Sequence, residues 1–313
     1  MKTELSEEAL EFEHHVRNAI ASSGGSEHVV RAQRDQDYRD SLGEMLGDLG
    51  VWELTPLEDP LQLEAAAMAC YVTGQFALPY PVAERIAGTS DVQQAVAVVD
   101  DTNPRIAHAD LDLAWLALDL TGKSAHIRST GPSVGGKLGQ FVNPVELGAW
   151  SESQHHAPLV LLLQSWTLLG MLANTQRLTC QHVRDREQFG QPLAQFQGVR
   201  FSVADMAVST QALEELAKYT LWSISKASNT AFSDALVLRS ASLEAADLIF
   251  RVGHQLHGAI GFCDESALSW LSRYSQRFRQ LPFGRARTED HLVELIRREG
   301  YYSPLTVLEG KTA

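Results

Sequence analysis

The sequence predicts a mainly α-helical fold with a small β region in the middle of the chain. Three observations carry that expectation. Apolar residues recur at helical spacing from Ser6 to about Gly88, short β-like runs separated by turn residues follow, and long apolar-rich helical patterns return from Ala157 onward. The expected division is residues 1–88, helical; 89–148, a small sheet; and 149–313, a helical bundle.

In the first region, Ser6 is a fitting N-cap with Glu7 and Glu8 in the first turn, and Leu10, Phe12, Val16 and Ile20 follow at roughly helical spacing until Gly24-Gly25 breaks the pattern. A second helix fits Asp37 to Leu49, ending at Gly50. A third fits Leu61 to Thr73, ending at Gly74, with Pro79 and Pro81 as further breakers. In the middle region, Ala95–Val99, Ala114–Leu118 and Ser124–Arg128 read as strands divided by Asp, Asn, Gly and Pro. Helices are then expected over Leu159–Arg184, Val199 to about Ala227, Ala231–His257, Glu265–Arg279 and about Thr288–Glu299, which pack as an up-down bundle.

Composition excludes several classes of function. The 313 residues are 44% hydrophobic and 21% charged, enough for a sizeable core, and 26 Lys and Arg against 39 Asp and Glu leave a net charge of −13 with no basic run. Nucleic acid is therefore not an expected partner. The three cysteines have neither disulfide nor metal-ligand spacing, so no metal is expected. The amino terminus has no apolar core segment, and the longest apolar stretch, Ala157–Leu163, is too short to span a bilayer. The expectation is a cytoplasmic protein without a membrane partner.

The chemistry concentrates at two helix ends. Arg186-x-x-Phe189-Gly190 lies between two long helices and offers a cation beside an aromatic face, a combination suited to a phosphate and a flat base. By spacing alone it reads equally well as a helix cap, with Arg186 on terminal carbonyls and Gly190 left-handed. Gln255, Gly258 and Gly261 form a second group, in which glycine permits close backbone approach to a phosphate and glutamine bridges oxygens. Alone, a Gly-x-x-Gly after a helix is usually a helix stop. His254 and His257 flank Gln255 without the other ligands a metal needs, and packing suits them better. His14-His15 and His155-His156 read as solvated faces.

These segments, with the continuation Gln191-Pro-Leu-x-x-Phe196-Gln-x-Val-Arg-Phe201, resemble the carboxy-terminal domain of the acyl-CoA dehydrogenases. Leu49-Gly-Val-Trp52 and the Gly74 to Pro79 exit are similar to the family's amino-terminal helical domain. The resemblance implies FAD as cofactor, with Arg186, Phe189, Gln255, Gly258 and Gly261 on its adenosine and pyrophosphate end across a subunit boundary. The chain departs from the family in having Gly258-Ala259 for two glycines, and in a β region much shorter than usual, without the Thr-Glu-Pro-x-x-Gly-Ser-Asp or Trp-Ile-Thr-Asn stretches that surround flavin and thioester.

The family removes an α-proton with a carboxylate while the β-hydride passes to the flavin. Of its two positions for that base, one falls on Pro282 when Arg273 is matched to a family arginine; the other falls on Leu159, Val160 and Leu161. Neither is acidic, and no catalytic residue is assigned. Glu152, Asp264 and Glu265 are the nearest acids, though Glu265 suits a helix start. The chain thus resembles the short, non-catalytic subunit of the heterotetrameric α2β2 acyl-CoA dehydrogenases known from steroid side-chain degradation. Its implied partner is a homologous catalytic subunit that binds most of the acyl-CoA; an electron-transfer flavoprotein is a further candidate partner, and the sequence does not assign the electron acceptor. Two alternatives stay open: a self-sufficient homo-oligomeric enzyme with an unrecognised base, and a flavin-free scaffold.

Overall fold

The computed structural model describes residues 4–35, 37–88, 94–133, 135–136, 140–153 and 157–300. His155 and His156 lie outside the described residues. Helix α1 spans Glu7–Ser23, and the Ser6 hydroxyl accepts the Ala9 N–H at 3.3 Å, as its capping role requires. Next comes α2, His28–Arg34, which the sequence reading missed because seven residues are too few to show a period. Its first residue, His28, is buried and its Nδ1 pairs with the Tyr38 hydroxyl at 2.7 Å. Tyr38–Asp48 forms α3.

Asp59 caps α4, Pro60–Gln75, by accepting the Leu61 N–H at 2.9 Å. Gly74 does not end this helix, contrary to expectation. It sits inside α4 because the chain crosses α6, Ala157–Asp185, almost backbone to backbone. A Cβ built on Gly74 would stand 2.0 Å from the Thr167 carbonyl oxygen, and one on Gly170 would stand 1.9 Å from that of Tyr71. Glycine is therefore required at both positions for helix contact, and not for turning. Helix α6 is long and apolar enough by composition to cross a membrane, which corrects the shorter estimate from residues 157–163. Of its most apolar 18-residue window, 83% is buried within the fold, as in a central core helix.

After α5, Val82–Ile86, come strands β1 Gln94–Val98, β2 Arg105–Ala107, β3 Ala114–Leu118, β4 Lys123–Thr130, β5 Val142–Leu147 and β6 Ser151–Glu152. Their order is β1-β3-β4-β5-β2, with β6 on β4; β1 and β3 run parallel and the other pairs antiparallel. Alternation along β1 and β3 divides their side chains between two cores. Val96, Val98, Leu116 and Leu118 pack on Val160 and Leu161 of α6, whereas Ala95, Ala97 and Trp115 pack with Ile106 and Val145 from β2 and β5. A register shift between Ile127 and Ser129 accompanies the curl that brings β5 and β2 over that second face.

The remaining helices are α7 Gln197–Ser225, α8 Ala231–His257, α9 Ala267–Gln280 and α10 Arg285–Glu299. Where α3, the sheet and α9 meet, His108 is buried between two arginines: its Nδ1 faces Arg39 at 3.1 Å and its Nε2 faces Arg277 and, at 3.1 Å, the Tyr274 hydroxyl. Guanidinium groups only donate, so an imidazolium would set donor against donor on both sides. Burial first, then Arg277 and Arg39, hold His108 well below its ordinary range, and the ring is neutral. Arg39 is neutralised by Asp110 at 3.0 Å, and Tyr274 donates to the Leu78 carbonyl at 2.6 Å, so one network fastens all three regions.

Candidate functional site

The site is built at the ends of α6 and α8. Helix α6 stops at Asp185, and Phe189 and Gly190 form the two-residue turn of a minimal hairpin, β7 Glu187–Gln188 against β8 Gln191–Pro192. Both turn residues are left-handed, φ 54° and 80°, which is the hairpin turn that matches strand twist. The Arg186 N–H still donates to the His182 carbonyl at 2.8 Å and its carbonyl accepts from Leu193 N–H at 2.8 Å, so Arg186 is held at the base of the hairpin. Phe189 is 92% exposed, steadied only by an edge contact with Phe196 at 6.2 Å. Arg186 is exposed, and its guanidinium makes no ion pair among the described residues.

Helix α8 ends at His257, where Gly258 caps it with φ 62° and an N–H to the His254 carbonyl. A Cβ on Gly258 would meet nothing within 4 Å, so its backbone is open to a ligand. Gln255 is exposed one turn earlier. Gly261 stands apart: it is buried, and a Cβ there would lie 3.0 Å from that of His257 and 3.3 Å from Leu268, so its missing side chain serves packing. His254 stacks on Phe262 at 4.3 Å.

The joint between the two helix ends is His182 on α6 stacked against His257 on α8, with ring centroids 4.3 Å apart and an interplanar angle of 17°. His257 Nδ1–H donates to the Gly253 carbonyl at 2.8 Å. Burial, then the His257 ring and Arg186, hold His182 below its ordinary range; burial does the same to His257. Stacking thus brings the Arg186 turn and the Gln255–Gly258 segment together, and neither histidine was singled out as a site residue from the sequence. Only the recurrence of His near both motifs could have signalled them. Beside the turn, a cleft of about 280 Å³ between α6 and α7 is lined by Cys180, Val183, Val199 and Val203.

A cation free of ion pairs, an uncovered aromatic ring and an open glycine backbone are the donor set that the adenosine-pyrophosphate end of FAD would use, and in that sense the residues fit the group. The family model for the acyl-CoA dehydrogenase carboxy-terminal domain matches residues 162–285, which contain both helix ends. Residues 162–285 thus carry the pattern of the acyl-CoA dehydrogenase carboxy-terminal domain. Members of this family are FAD-dependent.

The chain is 29% identical over 113 residues to 3-sulfinopropanoyl-CoA desulfinase of Paraburkholderia xenovorans, covering 35% of this chain and 28% of that protein. It is 32% identical over 92 residues to acyl-CoA dehydrogenase FadE28 of Mycobacterium tuberculosis, covering 29% and 27%. The matched segments thus span little more than a quarter of these relatives' length. In fold, the chain is similar to a chain of the ChsE4-ChsE5 complex from Mycobacterium tuberculosis, with TM-score 0.75 and 15% identity over 95% of this chain and 99% of that one. It is also similar to a chain of the Tcur3481-Tcur3483 steroid ACAD, with TM-score 0.72 and 17% identity over 93% and 98%.

Both positions that the resemblance offers for the family's base are apolar and buried. Leu159, Val160 and Leu161 lie in the core of α6, and Leu281, Pro282 and Phe283 are buried between α9 and α10. Arg239 of α8, itself buried, donates to the carbonyls of Leu281 and Phe283 at 2.6 and 2.7 Å, which fastens this loop. Burial brings Arg239 down to about 10. Among the earlier acidic candidates, Glu152 and Glu265 are exposed and Asp264 binds Arg273 at 2.8 Å.

The structure adds one acid that the sequence reading did not name. Glu84 is the only buried carboxylate among the described residues, and burial raises its pKa although the Gln164 amide donates to it at 2.8 Å. Such a group is a candidate general base on electrostatics alone. The cavity it lines with Gln164, Arg277 and Leu281 holds about 10 Å³, roughly one water. A cavity of that size does not hold an acyl thioester.

Proposed function

We propose that the chain is the non-catalytic subunit of a heteromeric FAD-dependent acyl-CoA dehydrogenase. The observation that carries this reading is the filling of the base positions: buried Pro282 in a loop tied by Arg239 at one, buried leucines and valine at the other, and, among the described residues, the one buried carboxylate, Glu84, beside a cavity of only about 10 Å³. When bound, the flavin supplies hydride acceptance. The work of this chain is to hold its far end: Arg186 sets a guanidinium toward the pyrophosphate, Phe189 offers a face to adenine, and Gln255 with the Gly258 backbone closes the other side. The catalytic carboxylate, the ring pocket and most of the acyl-CoA site belong to a homologous partner, in an α2β2 assembly.

The fold likeness to chains of the ChsE4-ChsE5 complex and of a steroid ACAD pair supports both the heteromeric state and a bulky acyl group, such as a steroid side-chain CoA thioester, as substrate. Residues 1–88, 89–148 and 149–313 are then the helical, reduced β and bundle domains of such a subunit.

The test is the visible absorption and acyl-CoA dehydrogenation activity of this chain, alone and co-expressed with a neighbouring acyl-CoA dehydrogenase gene product. Flavin colour and turnover only on co-expression are expected, and Arg186→Ala is expected to lower flavin per complex. Colour and turnover from the chain alone would mean a complete enzyme; neither in either case would mean a scaffold.

A further inference from the structure

The stacked pair His182 and His257 stands between the two halves of the proposed flavin-tail site. It lies one turn before Arg186 on α6 and two residues after Gln255 on α8. The tautomer of His257 follows from its hydrogen bond: Nδ1 carries the proton that goes to the Gly253 carbonyl, which leaves Nε2 as a lone-pair nitrogen. Among the described residues neither that nitrogen nor either nitrogen of His182 makes a hydrogen bond, and none of the three is fully buried. Around the pair, the charged and titratable groups are Asp185 on α6, Arg186 just after it and His254 on α8.

We propose that His182 and His257 are a further anion-contacting pair of this site, which takes up a proton as the FAD pyrophosphate binds. This rests on the flavin-tail reading above. The physical argument runs through charge. Two imidazolium rings at 4.3 Å beside Arg186 repel one another, so without ligand the pair stays neutral and stacks as an apolar joint. A diphosphate arriving at Arg186 adds negative charge within reach of the free nitrogens, which favours one imidazolium. The proton then stays on the ring facing the phosphate, and the neutral partner ring keeps the stack. Linkage fixes the sign: binding that raises a proton affinity is itself strengthened as pH falls.

The experiment is calorimetric titration of FAD into the flavin-depleted complex of this chain with its partner, in two buffers of different ionisation enthalpy, between about pH 6 and pH 8. Net proton uptake is expected, with affinity rising roughly three- to tenfold as pH falls from about 8 to about 6. The double variant His182→Asn and His257→Asn retains a side-chain N–H for the Gly253 carbonyl but cannot titrate, and is expected to bind with flat pH dependence and without the uptake. Binding that depends on Arg186 yet takes up no proton in the wild type overturns the proposal and leaves the flavin-tail reading standing. If FAD binding is indifferent to Arg186→Ala, both fall. The proton count of the wild type decides the matter even if the double variant does not assemble.

Discussion

The carbonyl oxygen of Tyr71 in α4 and the α-carbon of Gly170 in α6 leave no space for a side chain between them, since a Cβ on Gly170 would stand 1.9 Å from that oxygen. Gly74 and Thr167 repeat the contact one turn away, at 2.0 Å. This crossing joins the amino-terminal helices to the central helix of the bundle.

Gly170→Ala is therefore expected to force the two helices apart and to cost at least about 1–3 kcal/mol, the usual scale of overpacking against atoms that cannot yield. Urea unfolding of the variant measures it. An unchanged midpoint would show that the crossing is looser than described.

Arg239→Met removes both donors to the Leu281 and Phe283 carbonyls while it keeps most of the side-chain volume. Two buried carbonyls are then left unpaired at about 1–3 kcal/mol each, offset in part because a buried charge is also removed. A net loss of stability is expected, and faster proteolysis near residue 282 is its local signature. A variant as stable and as resistant as the wild type would contradict the role given to Arg239.

His108 makes stability depend on pH in a definite direction. Its pKa in the fold lies well below 6.5, so below about pH 6.5 the unfolded chain takes up a proton that the folded chain refuses, and stability falls as pH falls. Each such group contributes a slope of about 1.4 kcal/mol per pH unit. His28, His182, His254 and His257 are lowered as well and add to the trend. His108→Asn suits the left-handed backbone at that position, φ 61°, and is expected to remove one such increment. Denaturation curves between about pH 5 and pH 8 test this, and an unaltered slope would mean that His108 titrates normally.

Glu84 acts in the opposite sense. Its pKa is raised above the ordinary 4.5, so the stability it contributes as a neutral acid is full below that value and declines as pH rises through its folded pKa. Glu84→Gln removes the titration and is expected to leave the complex at least as stable at neutral pH. Turnover of the complex is expected to stay within a few-fold of wild type for Glu84→Gln and for Glu265→Gln. A fall of several orders of magnitude in either would identify the base in this chain.

By itself, the sequence determined the helical character of both ends of the chain, the position of the small sheet and the two helix-end motifs. Those features rest on short-range patterns: apolar spacing along a helix, alternation in β1 and β3, and the residues Phe189-Gly190 and Gly258 at chain turns. Only the tertiary structure decided that Gly74 lies within a helix, that α2, β2 and β5 form, and that Glu84 is buried. It also decided that Arg39, His108 and Arg277 meet, across separations of 69 and 169 residues, and that His182 stacks on His257. The reason is physical. A period or a turn is set by neighbours in the chain, whereas the burial of a charge and the space for a Cβ are set by whichever distant segment packs against it.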